Sequence, residues 1–140
     1  MQKGFTLIEI VIVVAIVGLL TALATPRVAG WMDRLAVMRS VQEFHSFYNV
    51  ARMGAVYRSS RVRISITPDS LIAIAEGDAD SVVVHLSGPA AYGVSLQASR
   101  SVIRLYPTGI GLGAANTTVV LQRGAVAESL TISRLGRLRR

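Results

Sequence analysis

A lone carboxylate, Glu9, stands near the head of an apolar stretch in which Thr21 is the only polar side chain between Ile10 and Ala24. About 20 apolar residues cross a bilayer as a helix. A carboxylate placed there costs on the order of 2–3 kcal/mol even on lenient insertion scales, so its natural chemistry is charge pairing. The best-matched partner is a cation on another copy of the same kind of segment. A secretory signal is the competing reading of such a stretch, and Ala22-Leu23-Ala24 offers small residues for its cleavage. Against it stand the length of the apolar block and the glutamate at its head.

Other residue types that do chemistry are thinly spread. There is no cysteine, which excludes disulfides, thiolate metal sites and thiol nucleophiles. His45 falls on a helical stripe, and His85 lies in an apolar run without a second histidine at ligand spacing. Glu76, Asp78 and Asp80 gather oxygen ligands suited to calcium, although a solvated acidic turn is the commoner outcome. Gly109, Gly111 and Gly113 superficially resemble a nucleotide loop but lead into a strand, so they read as a flexible loop without a cofactor. No acid–base or nucleophile constellation emerges, and the chain reads as neither an enzyme nor a metal protein.

Arginine is the remaining chemical resource. The formal charge is +7, and Lys3 is the only lysine. Arg123, Arg134, Arg137, Arg139 and Arg140 crowd the C-terminal portion against Glu128 alone, and Arg52, Arg58, Arg61 and Arg63 form a second group. Such charges serve as solubilising edges that block strand pairing. They equally suit duplex DNA through phosphate contacts, anionic headgroups or acidic partner subunits. For DNA the candidate residues are Arg134, Arg137, Arg139 and Arg140, with Gly136 releasing the tail to follow a phosphate backbone.

These residues must be positioned by a small set of elements. Beyond the apolar block, Pro26 is expected to perturb the helix without ending the domain. Trp31, Leu35, Met38, Val41, His45, Tyr48, Ala51 and Ala55 then recur at steps of three or four, with Asp33, Arg39, Ser40, Glu43 and Ser46 off the stripe. That pattern predicts an amphipathic helix to about Arg58. Strands are expected over Arg61–Thr67, Leu71–Glu76, Ser81–Leu86, Val102–Tyr106, Thr117–Gln122 and Ser129–Arg134, separated by Gly, Pro and Asp turns. The fold class is α+β, a long helix packed on an antiparallel sheet or small sandwich.

Gly4-Phe5-Thr6-Leu7-Ile8-Glu9 followed by an apolar helix resembles the signal of type IV prepilins and type II secretion pseudopilins. The resemblance implies a type IV pilin-like fold divided into a leader (1–4), a transmembrane and assembly helix (5–25), its amphipathic continuation (26–58) and a β-rich head (59–140). It implies cleavage between Gly4 and Phe5 by a prepilin peptidase that also methylates Phe5, and pairing of Glu9 with the amino terminus of a neighbouring subunit. Lys3 alone precedes the apolar block while Arg27, Arg34 and Arg39 follow it, against the positive-inside rule.

The head resembles the H-type minor pseudopilins and FimT-like minor pilins. The resemblance rests on Ala51-Arg52 with Ser60-Arg61-Val62, on Ile103 to Gly109, and on Leu130 to Ser133 followed by Gly136-Arg137-Leu138-Arg139. It implies a bacterial inner-membrane protein with one membrane pass and a periplasmic head, whose partners are major and other minor pilins or pseudopilins. In FimT-like members the basic ending is associated with DNA.

Overall fold

The computed structural model describes residues 4, 6–77, 80–112 and 116–140, with only the backbone for residues 24–26. Helix α1 spans Leu7–Tyr57, and its helical backbone continues through Pro26. The chain divides into two compact units, Met1–Met32 and Asp33–Arg140.

In the first unit, residues Leu7 to Leu23 of α1 are all exposed and, Glu9 and Thr21 apart, carry no polar side chain. This part of the helix is long and apolar enough to cross a membrane. Within it the Thr21 hydroxyl donates to the Val17 carbonyl at 2.8 Å, which satisfies the one hydroxyl among the apolar side chains.

In the second unit, α1 buries Val37, Val41, Phe44, Phe47, Tyr48, Ala51 and Ala55. This corrects the expected stripe. Leu35, Met38 and His45 are exposed, as is Trp31 in the first unit, whereas Ser40 is buried and donates to the Ala36 carbonyl at 3.0 Å. Apolar side chains occupy more than one side of this helix, so spacing alone admits two stripes. The buried one carries Phe44 and Phe47, whose rings pack with centroids 6.4 Å apart. Their large apolar area outweighs that of the rejected set.

The helix ends where expected, by a mechanism the sequence pattern did not announce. Ser59 adopts φ 48°, Ser60 N donates to the Ala55 carbonyl and Ser59 N to the Val56 carbonyl, both at 3.2 Å. This is a Schellman cap with serine in the left-handed position.

Among the described residues, eight antiparallel strands form two four-stranded sheets. The first has the order β3-β2-β1-β5, from β1 (Arg61–Ile66), β2 (Ser70–Glu76), β3 (Ser81–Ser87) and β5 (Val102–Leu105). The second has the order β4-β6-β7-β8, from β4 (Ser95–Ala98), β6 (Thr117–Arg123), β7 (Val126–Ile132) and β8 (Leu138–Arg139). All six expected strands are present, with β7 starting earlier. Strands β4 and β8 and the 3-10 turn Pro89–Tyr92 are additional. Alternation is strict in β1 and β2, where Val62, Ile64, Ile66, Leu71, Ala73 and Ala75 face the core. Gly54 of α1 meets β3 closely: a Cβ there would lie 2.4 Å from Val83 Cγ1, so any larger residue would require the Val83 side chain to shift.

Candidate assembly site and basic face

Thr6 is the residue before α1, and its carbonyl accepts from Ile10 N at 3.3 Å. Glu9 Oε2 accepts in turn from Thr6 N at 3.4 Å. This is the returning half of a capping box, Thr-x-x-Glu, which satisfies one of the free donors of the first turn. The sequence reading passed over it, although the spacing was there to see. Glu9 is exposed and its cap bond is long, so the carboxylate is available to a stronger donor. Phe5, the expected site of methylation, lies outside the described residues. A Cβ at Gly4 would meet nothing within 4 Å, so packing within the described residues gives no reason for glycine there.

The acidic turn is organised by arginine. Glu76 pairs with Arg63 at 3.5 Å and with Arg104 at 3.4 Å, and Asp80 pairs with Arg63 at 3.1 Å. Asp78 lies outside the described residues, and among those described no group of three potential metal ligands forms. His85 is exposed on β3, and exposed His45 shares a 3.0 Å hydrogen bond through Nδ1 with Asn49 Nδ2.

The described part of the expected flexible loop over Gly109–Gly113 belongs instead to a hydrogen-bonded turn that begins at Tyr106. Tyr106 N donates to the Ile110 carbonyl at 2.8 Å, and Gly111 N to the Arg134 carbonyl at 3.0 Å. The turn is held from two sides. Arg52 Nε donates to the Gly109 carbonyl at 3.1 Å. Gly136, at φ 70°, brings the C-terminal turn so close that a Cβ would stand 2.2 Å from the same oxygen. A left-handed conformation and a backbone contact together require glycine. Gly109 and Gly136 make this junction, and Gly113 lies outside the described residues.

The C-terminal ending is correspondingly not a loose tail. Strand β8 pairs with β7 through Thr131 with Arg139 and Ile132 with Leu138. Gly136 therefore folds the chain back, which corrects the expectation that it releases it. Arg140 grips Glu128 with both ends of its fork, Nε to Oε2 at 3.1 Å and Nη2 to Oε1 at 2.5 Å. The hydrogen bonds from Arg140 hold the Glu128 carboxyl below the usual carboxylate range, assisted by the charges of Arg140 and Arg34. Of the four candidate DNA-contacting residues, Arg134, Arg137 and Arg139 are exposed and without a carboxylate partner among the described residues. Arg137 and Arg139 line a cleft of about 320 Å³ with His45, Asn49 and Arg52, while Arg134 is outside it. The second basic group is dispersed: Arg58 donates to Ser81 Oγ at 2.6 Å, and Arg63 is taken by Glu76 and Asp80. Tyr48, buried beneath, has its phenol pushed up by burial, an effect opposed by the charge of Arg52.

A further arginine cluster went unread in the sequence. Arg123 Nε meets Asp33 Oδ1 at 2.9 Å and its Nη1 donates to the Tyr92 carbonyl at 2.5 Å. Arg39 stacks over the Tyr92 ring at 4.3 Å and pairs with Glu43 at 3.0 Å, and the Tyr92 hydroxyl donates to the same Glu43 oxygen at 3.0 Å. These contacts join α1 to the 3-10 turn and to the end of β6. Apart from Arg39 and Glu43, four residues apart on α1, the partners are separated by tens of residues, which hid the cluster from any local pattern.

Comparison with known proteins places these features. Residues 1–25 match the family model of the prokaryotic N-terminal methylation motif, and residues 40–136 match that of type II transport protein GspH. A fimbrial protein of Pseudomonas aeruginosa is 42% identical over 67 residues, 48% of this chain and 43% of that protein. The type IV major fimbrial protein FimA of Dichelobacter nodosus is 51% identical over 43 residues, 31% of this chain and 28% of that protein. The chain thus spans less than half the length of these curated relatives. The type IV minor pilin FimU of Pseudomonas aeruginosa superposes with a TM-score of 0.64 at 18% identity, covering 76% of this chain and 88% of that one. That likeness establishes the type IV pilin fold, a long apolar N-terminal helix followed by antiparallel sheets. With the methylation motif at its N-terminus and the GspH model matching most of its length, the chain belongs to the GspH family of pilin-like, non-enzymatic structural subunits.

Proposed function

We propose that this chain is a minor pseudopilin of a type II protein secretion system. In this reading a prepilin peptidase and methyltransferase cuts between Gly4 and Phe5 and methylates Phe5. The apolar part of α1 then holds the chain in the bacterial inner membrane, with the head in the periplasm. Assembly with major and other minor subunits follows as Glu9 exchanges its weak cap bond for the methylated amino terminus of a neighbour. The observation that carries the reading is the exposed Glu9, held among the described residues by a 3.4 Å bond at the head of an exposed apolar helix. In a low-dielectric bundle a carboxylate attracts a cation far more strongly than it does in water.

Mass spectrometry of the mature chain and its co-purification with partner subunits test this together. The wild type is expected to begin with N-methyl-Phe5. Glu9→Gln keeps an acceptor for Thr6 N but removes the charge, so it separates capping from pairing. Both Glu9→Gln and Glu9→Ala are expected to be processed yet to co-assemble at least about 100-fold less well. Breaking a buried ion pair by removing one partner costs roughly 3–5 kcal/mol. Incorporation equal to wild type would remove the ion pair from the mechanism, and a mature chain starting after Ala24 would identify a secretory signal instead.

A second reading, a minor subunit of a type IV pilus that takes up DNA, is favoured by the exposed Arg137 and Arg139 in one cleft. Arg140 contributes less to it than expected, because Glu128 already holds its guanidinium. Salt-sensitive retention of duplex DNA by the full chain, lost with Arg137→Ala and Arg139→Ala, would move this reading ahead of secretion.

A further inference from the structure

Two concavities share Asn49 and Arg52 toward the C-terminal end of α1. One is the basic cleft with Arg137 and Arg139. The other, of about 540 Å³, is walled by Met53, Val56 and Tyr57. These three side chains are 71%, 51% and 92% exposed, so none of them is spent on the core. Val56 also adjoins the Tyr106–Ile110 turn at Gly109, and both Tyr106 and Ile110 are themselves partly exposed, at 40% and 39%. Single exposed apolar residues are ordinary, but a contiguous shelf of them marks a surface used for binding.

The charge around this shelf is one-sided. Among the described residues no carboxylate lines either concavity. Among the described acids of the second unit, the β-rich head together with the part of α1 from Asp33 onward, Asp33, Glu43, Glu76, Asp80 and Glu128 are each paired with an arginine elsewhere. Among the described residues Arg137 and Arg139 therefore lack an internal counter-ion, whereas Arg39, Arg63, Arg104, Arg123 and Arg140 each have one.

We propose that this joint face docks another pilin-like subunit through a segment that combines an apolar anchor with carboxylates. The anchor would rest on Met53, Val56 and Tyr57, and the carboxylates would meet Arg137 and Arg139. A phosphate backbone uses the arginines but has no use for a wet aliphatic shelf. A second copy of this chain is a poor occupant, because among its described head acids only Asp69 is not already held by an arginine. The segment that fits is therefore acidic, apolar and carried by a different subunit. Such an interface has the composition of known ones, with an aromatic and apolar centre beside charges that set orientation.

This inference rests on the reading of the chain as a filament subunit, and the two fail separately. The probes are the other pilin-like subunits of the same filament, each purified in detergent and offered to the full-length chain in detergent. One of them is expected to bind. Met53→Ser combined with Tyr57→Ser should weaken that binding at least about tenfold, the scale of a truncated aromatic anchor. Arg137→Glu combined with Arg139→Glu should weaken it comparably and remove its salt dependence. Circular dichroism should match wild type for both double variants, since the four side chains are exposed. The docking face is overturned if no subunit binds, if binding is indifferent to the shelf changes, or if duplex DNA binds and is itself lost with Met53→Ser and Tyr57→Ser. Should Glu9→Gln block co-assembly while the shelf variants bind as wild type does, the subunit reading stands and the docking face falls.

Discussion

Arg123 and Arg137 belong to the same head and have opposite fates. The Arg123 guanidinium is divided between Asp33 and the Tyr92 carbonyl, and beside it Arg39 stacks on the Tyr92 ring and pairs with Glu43. Arg137 is exposed in a cleft with Arg52 and Arg139 and, among the described residues, no acid. One region uses arginine as an internal fastener, where a planar fork joins elements distant in sequence. The other keeps arginine unspent, so its field is directed outward. Charge excess alone does not tell these regions apart. The placement of six described head carboxylates does.

The largest expected effect tests what holds the unspent region in shape. Gly136→Val forces a β-branched residue into φ 70° and drives its Cβ onto the Gly109 carbonyl. The strained conformation costs of order 1–3 kcal/mol before the clash is counted. Thermal unfolding followed by circular dichroism should show a midpoint lower by at least about 8 °C. A midpoint within about 2 °C of wild type would mean that the two turns do not depend on their mutual approach.

A middle-sized effect breaks the comparison directly. Arg123→Ala removes an ion pair that is partly exposed on both sides, with 38% and 25% of each side chain accessible, and a donor to the Tyr92 carbonyl. Discounting the ion pair for solvent, a loss of about 1–2 kcal/mol is expected. Arg137→Ala should change stability by less than about 0.5 kcal/mol, as surface substitutions generally do. Denaturant titration of both variants decides the matter, and equal losses would erase the distinction between fastener and free arginine.

The smallest effect concerns the intermediate case, Arg140 on Glu128. The carboxyl of Glu128 is held below its unfolded value, chiefly by the hydrogen bonds from Arg140. The stabilisation is therefore present above the unfolded value of 4.5 and is lost as pH falls through the lower folded value. Arg140→Ala should flatten the pH dependence of the unfolding midpoint below about pH 4.5 and leave it unchanged at neutral pH beyond the loss of one surface pair. A pH profile identical to wild type would show that Arg140 leaves Glu128 in solution.

Local sequence was enough for the outline of this protein. The apolar block from Ile10 to Ala24, the Glu9 at its head, the period-two runs of β1 and β2 and the Gly–Pro–Asp punctuation dictate a membrane-competent helix followed by antiparallel strands. Each depends on residues within a few positions of one another, where helix and strand periods act. Three-dimensional contact decided the rest. Phe44 and Phe47 took the core side of α1 from Leu35 and Met38 because burying two aromatic rings against the sheets is worth more than the alternative stripe. Strand β8 and the Gly109–Gly136 junction arise from partners tens of residues apart, so the C-terminal arginines are displayed on a folded edge and not on a free tail. Which arginines are fasteners and which face outward depends on where the few carboxylates arrive after folding, and charge interactions follow distance in space, not separation along the chain.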